Sequence, residues 1–143
     1  MNPRAIVRLD DLEMAFEFVS SGEPMEYEAY LSLETGVIHY HSEYGEIEDP
    51  LPDDVDDEDK YVIIPQKRYF RLGKRLALSY TEQFLPKHLD NVLLMFKRSG
   101  AFPQFKQLLE AHDKTDHWRL FESEAMTLAI RQWCEDNEIT IEA

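Results

Sequence analysis

"EYEAYLSLETGVIHYHS", residues 26–42, decides the fold class. Tyr27, Ala29, Leu31 and Leu33 alternate with polar neighbours, interrupted only at Tyr30, and a period of two places them on one face of a strand. Thr35-Gly36 supplies the turn, since glycine accepts a positive φ, and Val37 to His41 returns as a second strand. A hairpin alone is marginal in water. "YVIIP", residues 61–65, is short, β-branched and ended by Pro65, and is expected to be the third strand of the same antiparallel sheet.

The flanks read as helices. In "RLDDLEMAFEFVSSGEP" Leu12, Ala15, Phe16 and Val19 recur at helical spacing, with Asp10 or Asp11 as N-cap and Ser20-Ser21-Gly22 and Pro24 as the stop. From residue 67 onward the period is again helical. Leu72, Leu76, Tyr80 and Phe84 line one segment, and Pro86 opens a second that runs to Ser99. Gly100 is expected to end it in a left-handed conformation. A third segment, Phe102 to about His112, carries Phe105 and Leu108-Leu109. A fourth, Asp116 to Asp136 with Asp116 as cap, presents Trp118, Phe121, Ala125, Leu128-Ala129 and Trp133 on one face. The aromatic set Phe102, Phe105, Trp118, Phe121 and Trp133 is expected to be a seam between helices, and Ile139 and Ile141 a short tail packing back.

The expected fold is therefore α+β: an N-terminal helix, a three-stranded antiparallel sheet, then a bundle of about four helices. Residues 1–143 are read as one domain, with a sheet part at 1–66, an acidic loop at 42–60, and a helical part at 67–143.

Composition narrows the function classes. A chain of 143 residues with 43% apolar content can bury a substantial core. The longest apolar run, Val92 to Phe96, is far short of a membrane span, and no apolar stretch follows the opening Met-Asn-Pro-Arg. Cys134 is the one cysteine, which excludes an internal disulfide and favours a reducing compartment. A cytoplasmic setting is the expectation.

The net charge of −14 is unevenly distributed. Residues 1–60 hold three Lys/Arg against 18 Asp/Glu, whereas residues 61–143 hold 12 against 11. Such a field repels nucleic acid and attracts basic surfaces within a Debye length of about 8 Å.

Four stretches resemble one family: "YLSLETGVI", "YVIIP", "SGAFPQFKQLL" and "HWRLFESEAMTLAIRQWCEDNEI". Their order and spacing are similar to the bacterial uncharacterised protein family 0158, from about Leu9 to Ile141. The chain departs from that pattern in the basic "QKRYFRLGKR" and the Asp-rich loop after "HYHS". The resemblance implies this fold and a bacterial cytosolic setting, and it brings no activity, cofactor or catalytic residues.

Candidates for chemistry are few. His39 and His41 lie two apart on a strand and face one way, with Glu43 continuing that face, so a metal-dependent enzyme using these histidines and nearby carboxylates is one alternative. "DDVDDEDK" lacks the glycine and terminal glutamate of a calcium loop, and no dedicated metal site is expected there. The serines have no triad context. Cys134, inside a helix beside Glu135 and Asp136, is expected to be an inert thiol. "KRYFRLGKR" sets Lys67, Arg68, Arg71, Lys74 and Arg75 around Tyr69 and Phe70, the chemistry of a phosphate-and-stacking surface. The acidic balance argues instead for internal compensation against residues 43–59. No catalytic residue, metal or cofactor is assigned. The leading reading is a non-enzymatic module that binds a basic protein partner through Asp53, Asp54, Asp56 and Asp57, with Lys67, Arg68, Arg71, Lys74 and Arg75 as further contact residues and dimerisation open.

Overall fold

The computed structural model describes residues 5–142; the opening Met-Asn-Pro-Arg, weighed above against a leader, lies outside them. The chain divides into two compact units, Met1–Tyr69 with Ile130–Ala143, and Phe70–Ala129. The sequence placed the sheet-to-helix change at residue 67. The division falls at Tyr69 and again inside the last helix, because that helix serves both units.

The first unit contains β1 (Ala5–Arg8), α1 (Leu9–Val19), β2 (Tyr27–Ser32), β3 (Ile38–Ser42), β4 (Tyr61–Ile63) and β5 (Ile139–Glu142). β2 is the centre of an antiparallel sheet of order β3-β2-β4, as the hairpin and the Pro-ended strand imply. Register sets Tyr30 opposite both His39 and Ile63. Ala29 and Leu31 are fully buried, and so are Leu12, Ala15 and Phe16 of α1, which packs on β2. Each large side chain so buried contributes about 1.5–3 kcal/mol. Phe18 of α1 meets Tyr27 and Tyr40 edge-on, with ring centroids 5.2 and 4.9 Å apart.

A second sheet was not anticipated. β1 and β5 pair in parallel, Ala5 with Ile139 through Arg8 with Glu142. Ala5, Val7 and Ile139 are buried, whereas Ile6 points out. The isoleucine tail does pack back, as a strand. Four residues are too few to show a period, which hides β1 in the sequence.

Helix α1 has Arg8 at its N-cap, in extended backbone, with no side-chain cap. Asp10 and Asp11 stand in its first turn instead. Strand β1 runs straight into α1, so the cap position is taken by the last strand residue. The two carboxylates still favour the positive end of the helix dipole.

The second unit holds α2 (Gly73–Phe84), α3 (Leu89–Met95), α4 (Ala101–Ala111) and the first part of α5 (Thr115–Asp136). Short 3-10 turns at Lys67–Phe70 and Pro86–His88 precede α2 and α3. Tyr80, fully buried, is the hub: Phe84, Phe121 and Trp118 lie 4.9, 5.2 and 5.4 Å away by ring centroid. Ala77, Leu85, Val92, Phe105 and Leu109 complete this core, and Phe105 meets Trp118 edge-on at 5.1 Å. Phe102 is half-buried, against Phe96 at 5.1 Å.

Four helix expectations change. α3 ends at Met95 with Phe96 as its C-cap, so Gly100 does not end that helix as expected: Phe96 to Ser99 form turns, and Gly100, left-handed at φ 76°, is the N-cap of α4. α5 begins at Thr115, one residue before the expected cap, because Lys114 accepts the N–H of Trp118. Trp133 is not in the seam with Trp118: its ring lies edge-on to Phe16, 5.5 Å away in the first unit. Leu128, expected on the buried face, is 68% exposed.

Of the positive-φ glycines, Gly36 and Gly100 differ in surroundings. A Cβ at Gly36 would sit 2.2 Å from the backbone carbonyl oxygen of Ile6, whereas one at Gly100 would meet nothing within 4 Å. Gly100→Ala should cost about 1 kcal/mol, the backbone penalty alone. Gly36→Ala should cost more than about 2 kcal/mol, since backbone must also move. Urea denaturation of the two variants measures the difference, and equal losses would contradict this packing.

Candidate functional site

The acidic loop is solvated, as expected, but it is built. Val55 N–H donates to Pro52 O at 3.2 Å and Asp57 N–H to Asp54 O at 2.9 Å. Lys60 and Tyr61 N–H both donate to Asp57 O at 3.0 Å, and Asp59 N–H donates to the Asp57 carboxylate at 2.9 Å. Lys60 Nζ reaches Asp54 Oδ2 at 3.2 Å, and this bond holds the Asp54 carboxyl below the usual aspartate range. Lys60 O accepts Leu33 N–H at 2.8 Å, which ties the loop to the sheet. Of the four candidate aspartates, Asp54 and Asp57 therefore maintain the turns. Asp53 and Asp56 are exposed and have no hydrogen bond or ion pair among the described residues.

His39 and His41 share one face of β3 with Tyr30 and Glu28 across the register. Tyr30 Oη donates to Glu28 Oε2 at 2.7 Å; burial first, then this bond, pushes the phenol up to about 12. His39 packs edge-on to Tyr61, with centroids 6.0 Å apart, and His41 is exposed. Glu43 lies beyond the end of β3, its N–H donating to Glu26 O at 2.9 Å. Among the described residues no group of three or more His, Cys, Asp and Glu is arranged to hold a metal ion.

The five cations of the basic segment are divided between units: Lys67 and Arg68 in the first, Arg71, Lys74 and Arg75 in the second. Lys67 is anchored on α1, its N–H donating to Ser20 Oγ at 2.9 Å and its Nζ pairing with Glu17. Gln66 reinforces this joint, donating to Val19 O and Gly22 O at 3.0 Å each. Compensation of Lys67 thus involves α1, an element the sequence reading did not consider. Lys74 and Arg75 occupy the first turn of α2, where cations oppose the helix dipole.

Sequence reasoning missed one feature. Along the outer side of α1 lies an open groove of about 960 Å³. Met14 and Phe18, one turn apart, form its floor with Tyr40 of β3 and Ile47. Asp10, Glu13 and Glu17 border it at helical spacing. Met14 is 66% exposed. The signal was the second helical stripe in residues 10–18, hidden because Leu12, Phe16 and Val19 already explained the helix.

Cys134 is buried, and burial pushes its thiol up to about 11 against the opposing pull of Arg131. Burial, and not the neighbouring Glu135 and Asp136, is the cause. A thiol that holds its proton more tightly when folded adds stability that is complete below its ordinary value of 9.0 and is lost as pH rises to about 11. Tyr30 acts in the same direction between 10.0 and about 12. Urea stability should therefore fall progressively from pH 9 upward. Near neutrality a disulfide reagent should modify Cys134 only after unfolding; a native thiol titrating at once would contradict its burial. No helix among the described residues is long and apolar enough to cross a membrane. No family model, curated protein or solved structure matches the chain, and the family resemblance drawn from its sequence stands as a proposal.

Proposed function

We propose that the protein is a small non-enzymatic interaction module, working in the bacterial cytosol, that binds a basic protein partner through its acidic N-terminal half. The observation that supports this is the partition of charge: 18 Asp/Glu against three Lys/Arg in residues 1–60, beside a nearly neutral remainder. A one-sided field of this kind accelerates encounter with cationic surfaces and fixes orientation. The ordered turns of the acidic loop add to the argument, because carboxylates held on a fixed backbone lose less entropy on binding than those of a random chain.

The test follows from the loop's construction. Asp53→Asn/Asp56→Asn removes two charges without touching the bonds made by Asp54 and Asp57, and the fourfold Asp→Asn variant at 53, 54, 56 and 57 removes all. Quantitative pull-down from bacterial lysate should lose its basic partners stepwise across these variants and with added salt. A partner set unchanged in the fourfold variant would refute the reading.

A further inference from the structure

We infer that the groove along α1 is the docking site for an amphipathic basic helix of the partner. This deepens the proposed function and rests on it, but it places binding on residues other than Asp53, Asp54, Asp56 and Asp57.

Three features of the groove specify the occupant. Its floor is apolar, with Met14 and Phe18 one helical turn apart and Tyr40 opposite. A partner helix matches that repeat of roughly 5.4 Å with side chains at i, i+3, i+4 and i+7. Methionine, unbranched and polarizable, adapts its shape to an incoming side chain. The border is anionic, with Asp10, Glu13 and Glu17 following the same helical repeat, so cations flanking the partner's apolar ridge would each meet a carboxylate. The border already receives an amine, since Lys67 Nζ pairs with Glu17. A lysine or arginine of the partner would replace or join it there.

Charge complementarity also selects against a second copy of this chain. A symmetric dimer through this face would set Asp10, Glu13 and Glu17 against their own equivalents. Nucleic acid is repelled by the same carboxylates, and a neutral apolar helix would leave them desolvated without partners.

The experiment uses the full chain and a fluorescein-labelled peptide of about eighteen residues, roughly five helical turns, made of leucine and lysine. Leucines stand at i, i+3, i+4 and i+7 in the probe and are scrambled in a control of identical composition. Fluorescence anisotropy should show the patterned peptide binding about tenfold tighter than the scrambled one. Met14→Ser should abolish that preference, and its thermal midpoint should stay near that of the unmodified chain because Met14 is exposed. Glu13→Gln/Glu17→Gln should weaken both peptides and flatten the salt dependence. Equal affinity for the two peptides, or a preference untouched by Met14→Ser, overturns the groove proposal. Equal affinity that is lost in the fourfold Asp→Asn loop variant overturns the groove and leaves the acidic module standing. Failure of both peptides to bind at low salt overturns both. Light scattering that shows a dimer broken by Met14→Ser also overturns it, because the groove would then be covered by a second copy.

Discussion

The parallel pairing of Ala5–Arg8 with Ile139–Glu142 is the constraint on which the first unit depends. It joins segments near opposite ends of the sequence, so forming it requires a large loop closure before any pairing energy is returned. Its position explains several other features. Arg8 has no room to leave the strand before α1 begins, so α1 starts without a side-chain cap. Ile6 O lies where a Cβ of residue 36 would fall, so the hairpin turn closes on β1 backbone and only glycine fits. The last turns of α5 must return to this unit to deliver β5, and they bring Ile130, Trp133 and Cys134 into its core.

That requirement accounts for what the sequence could and could not disclose. The hairpin and helices α2 to α4 were legible, because each buries one face in one core and so shows a period, and the third strand was marked by its β-branched run and Pro65. Helix α5 serves two cores in succession. Trp118 and Phe121 belong to the Tyr80 cluster, Trp133 to the Phe16 cluster, and Leu128 between them is exposed. A single apolar stripe drawn through its 22 residues averages two different directions. Strands β1 and β5 were illegible for another reason: four-residue strands are specified by the partner they meet, not by their own pattern.

Left-handed residues at helix ends show the same split between local rule and tertiary demand. The left-handed backbone at Gly100 was readable from the glycine, but its role was not: it precedes α4 as N-cap instead of closing α3. Asp113 and Glu138, two residues past the ends of α4 and α5, are left-handed at φ 53° and 59° without being glycine. After α4, Lys114 N–H reaches Leu109 O at 2.8 Å and Asp113 N–H reaches Glu110 O at 3.2 Å, which together satisfy the last carbonyls. These bonds offset a backbone cost of about 1–2 kcal/mol per residue. A hydrogen-bond motif can thus end a helix where composition gives no sign of it.

The candidate surfaces divide along similar lines. The acidic loop was visible as composition, but which aspartates are engaged depends on turn geometry, and that separates Asp54 and Asp57 from Asp53 and Asp56. The outer stripe of α1 was not recognised. Asp10, Glu13 and Glu17 are successive like charges at i, i+3 and i+4 steps, an arrangement that weakens a helix by a few tenths of a kcal/mol per pair. Ion pairs with Arg8 and Lys67 offset part of that cost at Asp10 and Glu17, whereas the exposed Met14 between the carboxylates buries little on folding. Where a helix departs from its own local rules on the one face the core does not use, the departure points to something outside the chain. The acidic run and the groove thus support the proposed basic partner in different ways, the run through a long-range field and the groove through shape.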